Sequence, residues 1–383
     1  MNINDITLLF IDHEPFSRNR ARLFCVDGLR EKGFKIVWLD VSQMIYPGLH
    51  VADEICTDYL MKISSFEKLE EIIGSLNFRT TLSIVEVFEN LKNFKIFELL
   101  EKNHIKRIRF ERFGGSDLYK NVKKSLNDLL TMFTWKRFAN HLKFKKDSKL
   151  LNLLKQEKHL EFYNYYINSS TLSKCDISVN HPDYDAYLTN DKKMHRTIDT
   201  KYAVFIDVSF GIHPDVIYFA KRKYRKAENK IWRNKLVDFF DYVEKKYGVE
   251  VVIASHPKTN YETNAFGERR IIKYETLNLV KFSEFVLMDF SAAFSYSVIY
   301  DKKIGIISTK EFYKEFGHNL RTFTTKMELP LFMIDKDDYD TFEPRKLNKE
   351  KREEYLYTYL TSRGNEAVST VDILSRDLPA MLT

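Results

Sequence analysis

The chain has 383 residues, with 61 Lys and Arg against 54 Asp and Glu, for a formal net charge of +7. That length is too great for one ordinary core and comfortable for two, and 44% hydrophobic with 30% charged residues is a globular composition. No apolar run approaches the ~18–20 residues that cross a bilayer, and the start Met1-Asn2-Ile3-Asn4-Asp5-Ile6 lacks the basic region and apolar core of a signal peptide, so the expected location is the cytoplasm. Cys25, Cys56 and Cys175 lie far apart without metal spacing and read as reduced thiols. The histidines are scattered too, which argues against a structural zinc site.

From the amino terminus, Ile6–Ile11 reads as a compact apolar strand ending at Asp12-His13-Glu14. Phe34–Leu39 is a second, ending at Asp40, and Thr80–Val85 a third. Ile105–Phe110 is a fourth and runs into Glu111-Arg112-Phe113-Gly114-Gly115-Ser116-Asp117. Helical patterns such as Phe66–Ser75 and Asn90–Lys102 separate them. Strands alternating with helices predict an α/β domain with a mostly parallel sheet.

Positive charge then gathers between Lys120 and Lys158. Lys123, Lys124, Lys136, Arg137, Lys143, Lys145, Lys146 and Lys149 interleave with Leu129, Leu130, Phe133, Trp135, Phe138, Leu142, Phe144, Leu150 and Leu151. A basic amphipathic stretch can rest on an anionic membrane, bind nucleic acid or simply solvate a helix face. No RNA- or DNA-binding motif accompanies the charge, so nucleic acid is not an expected partner; the other two readings stay open.

The polar stretch Asn168–Thr200 reads as the inter-domain region. A second strand–helix series begins at Tyr202–Ile206, which leads into Asp207, and continues through a long helix near Val216–Lys246. The strand Glu250–Ser255 runs into His256-Pro257-Lys258-Thr259, followed by Arg269-Arg270 and by Glu275-Thr276 at a helix start. Phe285–Met288 runs into Asp289-Phe290-Ser291-Ala292-Ala293, which opens another helix, and Ile304–Ser308 is a further strand. After Phe332–Ile334 come two helical segments, Asn348–Ser362 and Val371–Met381. In open α/β sheets ligands bind just past the strand ends, where helix N-termini offer free N–H groups to phosphate. A His, a Lys, two Arg and a Ser on that edge describe a nucleotide phosphate site.

The run Ile253-Ala254-Ser255-His256-Pro257-Lys258, with Phe266-Gly267-Glu268-Arg269, Lys273-Tyr274-Glu275-Thr276-Leu277 and Val286-Leu287 followed by Ser291, resembles the donor-binding half of bacterial surface-polysaccharide GT-B glycosyltransferases. It is most similar to the group of bacterial sialyltransferases and other CMP-acidic-sugar transferases, over Lys201 to Thr309. The resemblance implies two Rossmann-like domains facing across a cleft, inverting chemistry, no metal and no cofactor. It implies a nucleotide site of His256, Pro257, Lys258, Arg269, Glu275, Thr276 and Ser291. It also implies a nucleotide-sugar donor, a CMP-sugar in the first place, and a glycan acceptor on a lipid carrier, for capsule, O-antigen or lipooligosaccharide. The expected organisation is an acceptor-binding domain at 1–169, a linker at 170–200, a nucleotide-sugar-binding domain at 201–345, and helices at 346–383 crossing back to the first domain. The chain departs from the pattern where Ser291 is followed by Ala292-Ala293, and where Lys303 is followed by Ile304 rather than Pro. A UDP- or GDP-sugar transferase, a polyol-phosphate transferase on the same scaffold, or a non-catalytic module binding glycan or membrane are the alternatives.

For catalysis, His256 is placed to stabilise the leaving nucleotide by charge or by a proton. An inverting transfer also needs a carboxylate to take the acceptor proton. Asp207, Glu111, Asp12, Glu14 and Asp117 are the candidates, and they stay unranked except that Gly114-Gly115 gives Glu111 the most open setting. Asp183-Tyr184-Asp185 and Asp338-Tyr339-Asp340 spell a short metal-binding pattern, but neither follows a convincing strand, so both read as loops or helix starts.

Overall fold

The computed structural model describes residues 2–51, 54–112, 135–213 and 225–382, with side chains of the helix at 135–157 described from residue 143 onward. Gly114, Gly115 and Asp117, the first half of the basic stretch, and Pro214 through the expected start of the long helix lie outside the described residues.

Two parallel sheets organise the chain. The first holds β1 (Thr7–Asp12), β2 (Lys35–Asp40), β3 (Leu60–Lys62), β4 (Thr81–Glu86), β5 (Lys106–Glu111), β6 (Tyr165–Asn168) and β7 (Ile177–Ser178), in the order 3-2-1-4-5-6-7. The second draws on β8 (Tyr202–Ile206), β9 (Glu250–Ser255), β11 (Ile271–Lys273), β12 (Phe285–Met288), β13 (Lys303–Ser308) and β14 (Leu331–Met333), in the order 11-9-8-12-13-14, with β10 (Ala265–Glu268) outside it. All the pairings within both sheets are parallel. The central strands are buried on both faces, as parallel strands covered by helices must be; β8 and β12 have no exposed residue at all. In each sheet the strand order reverses once beside its first strand, between β1 and β4 and between β8 and β12. Those crevices are where such sheets bind ligands.

Four strands of the first sheet end one residue later than the apolar pattern suggests, so Asp12, Asp40, Glu86 and Glu111 are the last residues of β1, β2, β4 and β5. The reason is register: Asp12 pairs with both Asp40 and Glu86 across the sheet, and the ladder carries the acids to the rim. The stretch expected to be linker contributes β7 to the edge of the first sheet and then the helix Pro182–Asn190. That helix joins the lobes. Asp183 accepts a bond from the Ser295 hydroxyl of the second lobe, while Asp185 pairs with Arg112 of the first and accepts from the Thr370 N–H at 2.9 Å. The first of the two short acidic patterns is thus a structural fastening. The second, Asp338-Tyr339-Asp340, is an exposed turn in which Asp338 caps the Asp340 N–H.

The helix Thr370–Asp377 packs away from the strands that precede it in sequence. Ile373, Leu374, Leu378 and Met381 lie in the same core as Leu8, Phe10, Val26 and Ile84, and Lys106 of β5 donates to the Met381 carbonyl at 2.7 Å. Gly28 is small because Val371 sits over it: a Cβ there would meet a Val371 methyl at 2.7 Å.

Candidate functional site

The crevice of the second sheet is built by two loops, each leaving a buried strand. Past β8, Asp207 accepts from the Ser209 N–H at 2.9 Å and the Tyr261 hydroxyl at 3.0 Å, and holds the His256 N–H at 3.4 Å. Gly211 takes φ +76° to bring that loop around, and a side chain there would press on the Arg225 carbonyl at 3.1 Å. The loop delivers His213. Past β9 comes His256, whose Nε2 lies 3.2 Å from Nε2 of His213. Past β12 comes Ser291, which caps its own turn by accepting from the Ala293 N–H at 3.2 Å. His213, His256, Ser291, Gly211, Phe290 and Phe316 wall part of a cavity of about 450 Å³.

The tautomers follow from the bonds. Nδ1 of His256 accepts from the Lys258 N–H at 3.2 Å, so its proton sits on Nε2, shared with His213. Burial first, then His213, Lys258 and Lys273, push the His256 pKa down to about 3. The ring is therefore neutral at physiological pH and offers a phosphate one N–H rather than a charge.

Asp207 and Asp289 end in the floor of this crevice. Asp207 is 2% exposed and accepts four bonds that shape the loop, the Ser209 hydroxyl at 3.3 Å being the fourth. It is not among the residues that wall the cavity with His256. Asp289 is fully buried, and burial, followed by the nearby Asp207, raises its pKa well above the ordinary range.

The remaining expected nucleotide ligands are dispersed. Lys258 turns to the other lobe. Arg269 bonds Glu244 at 2.9 and 2.6 Å and Asp241 at 2.5 Å on the long helix Lys226–Tyr247; it ties the end of β10 to that helix and is not among the residues that wall the cavity with His256. Arg270 stands 3.7 Å from Glu250. Glu275 is exposed and Thr276 half-buried at the start of the helix Thr276–Phe282, and neither is among the residues that wall the cavity with His256.

The crevice of the first sheet carries charge instead. Ser17 caps the helix Arg18–Leu23 by accepting from the Arg20 N–H at 3.2 Å, which sets Arg20 over the end of β1. Its Nε donates to Asp12 at 2.6 Å and its Nη1 to Glu14 at 3.5 Å. Glu14 in turn accepts from Lys258 of the second lobe at 2.8 Å. Both members of that pair are largely buried, so the two crevices face one another across an ion pair. Burial alone would raise the Glu14 pKa, but Arg20 and Lys258 pull it down to about 2. Asp12 is fully buried beneath Arg20, and desolvation raises its pKa.

Beside these groups opens a second cavity of about 710 Å³, walled in part by His13, Arg20, Glu86, Arg109, Glu111 and Tyr163. Glu111 is clamped by Arg109, whose Nε donates at 2.6 Å, and Asn168 donates to it at 3.3 Å. Glu86 was not among the sequence candidates. It lies one residue past an apolar strand, the same signal that marks Asp12 and Asp207.

Two doubly wound parallel-sheet domains facing each other across a cleft form the GT-B arrangement, and this chain has that fold. No family model and no curated protein matches its sequence. Among solved structures it is similar to a Methanocaldococcus jannaschii UDP-GlcNAc 2-epimerase in complex with UDP-GlcNAc and UDP, at 13% identity and a TM-score of 0.49 over 98% of this chain and 100% of that one. It is also similar to the wall teichoic acid polymerase TagF soaked with CDPG, at 12% identity and 0.49 over 100% and 90%, and to the spinosyn forosaminyltransferase SpnP, at 12% and 0.45 over 98% and 99%.

Proposed function

We propose that the chain is an inverting, metal-independent glycosyltransferase that moves a sugar from a nucleotide onto a bacterial surface glycan. The observation that carries this reading is the His213–His256 pair, which shares one proton beside Ser291 at the crevice of the second sheet. A leaving nucleotide needs hydrogen-bond donors aimed at the phosphate oxygen where charge develops. Nε2–H of the pair and the Ser291 hydroxyl are such donors, and the pair's proton can follow the departing phosphate. The resemblance over Lys201 to Thr309 is to transferases of such donors, and the donor we favour is a CMP-linked acidic sugar, of the nonulosonic acid or Kdo kind. The glycan acceptor enters from the first lobe.

Where the acceptor is lipid-linked, the enzyme works at the inner face of the cytoplasmic membrane. The helix Trp135–Glu157 supports this: Phe144, Leu150 and Leu153 are exposed beside Lys143, Lys145, Lys146 and Lys149. Among the described residues no helix is long and apolar enough to cross a membrane, so such contact is peripheral.

The test is which of CMP, CDP, UDP and GDP raises the melting temperature. A nucleotide at about 100 times its dissociation constant adds ~2.7 kcal/mol. A shift with CMP alone supports the reading in full, a shift with another nucleotide alone moves the donor class, and no shift with any of the four overturns it. Turnover that survives excess EDTA is expected; loss with EDTA and rescue by Mg²⁺ or Mn²⁺ overturns the metal-independent mechanism.

A further inference from the structure

The cavity of the first lobe contains a gap of a particular kind. Nη2 of Arg20 stands 3.8 Å from Oε2 of Glu86. That is too far for a hydrogen bond, and an oxygen lying to one side of the line joining them, about 2.8 Å from each atom, would reach both. Arg20 is 8% exposed, and its Nη2 is a buried donor with no hydrogen-bond partner among the described residues. A buried unpaired guanidinium N–H is costly, and it points at the carboxylate of a residue whose side chain is 22% exposed to the cavity. A hydroxyl placed in that gap would donate to Glu86 and accept from Arg20. We propose that Glu86 is the catalytic residue that takes the proton from the acceptor hydroxyl, and that Arg20 Nη2 steadies the oxygen as it attacks.

The assignment rests on the glycosyl-transfer reading and names the residue which that reading leaves open. The step balances. The acceptor O–H bond breaks and its proton goes to Oε2 of Glu86, leaving a neutral acid. The oxygen lone pair forms the bond to the anomeric carbon, and the bond from that carbon to the phosphate oxygen breaks, its electrons leaving with the nucleotide. Geometry separates Glu86 from the other acids: Glu111 is clamped by Arg109, Glu14 by Arg20 and Lys258, and Asp12 is buried under Arg20.

The surroundings also tune it. Asp12 on β1, Arg20 on its helix, Arg109 and Glu111 on β5, and Tyr163 face it, with His13, Glu14 and Glu89 close by in the same crevice. Burial, less the pull of Arg20 and with the push of Asp12, raises its pKa to about 8. A base so tuned works best near its own pKa. The cations nearby are matched to carboxylates, Arg20 to Asp12 and Glu14 and Arg109 to Glu111 and Glu89. That favours an uncharged sugar as the acceptor.

The experiment compares the parent protein with Glu86→Gln, which keeps size and shape. Each is supplied with CMP-N-acetylneuraminate, CDP-glycerol, UDP-N-acetylglucosamine or GDP-mannose, with p-nitrophenyl β-galactoside or water as acceptor, and nucleotide release is followed. The expected result is a loss of about 10²-fold or more in kcat, with donor KM and the nucleotide-induced rise in melting temperature unchanged. The parent rate should climb with pH through about 8, and the variant rate should stay flat. Should Glu86→Gln fold poorly, Glu86→Ala with added formate serves instead, and recovery of rate by formate supports the role. Turnover within a few-fold of the parent, or an unchanged pH profile, overturns Glu86 alone and leaves the donor site standing. Absence of any nucleotide shift, or of any donor consumption by the parent, overturns the transferase reading and Glu86 with it.

Discussion

The two crevices occupy the same place in two sheets of the same design, yet they handle acid in opposite ways. In the second lobe the acids at the strand ends, Asp207 and Asp289, are sunk into the floor, the one bonded to the loop backbone and the other fully buried. What the cavity meets there is imidazole, hydroxyl and aromatic surface, with Arg225 and Glu315 paired to each other at its wall. In the first lobe Glu86 and Glu111 stand at the cavity wall, and arginines reach down to them. On the proposed reading, one crevice serves the departing anion and the other the removal of a proton. The difference teaches that a shared topology fixes where chemistry happens while the loop after each strand fixes which chemistry, and the Glu14–Lys258 pair connects the halves electrostatically within this site.

The comparison breaks first at His256. If the second crevice stabilises the leaving group, His256→Ala should lower kcat by about 10²–10⁴-fold with an unchanged circular dichroism spectrum; a rate within a few-fold of the parent removes that role. Next in size is a test of the first lobe alone. Leu374→Ala, in the helix Thr370–Asp377, should cost about 2–5 kcal/mol by urea unfolding, as core truncations do. A cost near zero would mean the helix is dispensable to the lobe it fills.

The link between the crevices is sharpened by Glu14→Gln. The folded pKa of Glu14, about 2, lies below its ordinary 4.5. Its stabilising contribution is therefore complete above pH 4.5 and is lost as pH falls through about 2. The variant should be less stable at pH 7 by on the order of 3 kcal/mol, and the gap to the parent should narrow steadily in urea titrations taken below pH 4.5. A gap that does not change with pH would show the ion pair to be inert. Because the substitution also releases Lys258, nucleotide should bind a few-fold more tightly by calorimetry, and weaker binding would speak against competition for that lysine. The smallest effect lies outside both crevices. Binding to anionic liposomes should weaken by about 1 kcal/mol for each of Lys143, Lys145 and Lys146 changed to Glu, and by less at high salt. Equal, negligible sedimentation with neutral and anionic liposomes would leave these lysines as a solvated face.

Much of the fold was legible because a strand buried on both faces must be apolar throughout. Tyr202–Ile206, Glu250–Ser255 and Phe285–Met288 announce themselves that way, and their observed bounds coincide with the expected ones. The helix Phe66–Ser75 was equally plain, with Ser65 as its cap. The edges were not. Ile177–Ser178 at the edge and Tyr165–Asn168 beside it are short and half-polar, since strands toward an edge owe less to burial. At the site, the apolar run into Asp207 marked the correct rim but could not say whether the acid would point up or down. Arg269 looked like a phosphate ligand because its partners Asp241 and Glu244 lie more than twenty residues away on a helix, and no local spacing announces that pairing. Glu86 was overlooked because the recognisable strand stops at Val85, one position short of the residue that ends in the cavity.

The placement of Thr370–Asp377 has a consequence for how the molecule is made. Lys106 reaches a carbonyl 275 residues further along the chain, and four residues of this tail complete a core begun by Leu8 and Phe10. During synthesis the chain emerges amino terminus first, and domains tend to fold as they appear. Here the lobe translated first lacks part of its interior until residues 370–382 have been made, while the second lobe already has its strands. The order of translation and the order of completion are reversed. A ribosome stalled anywhere between the two lobes would hold a half-filled first domain, its apolar faces open to chaperones.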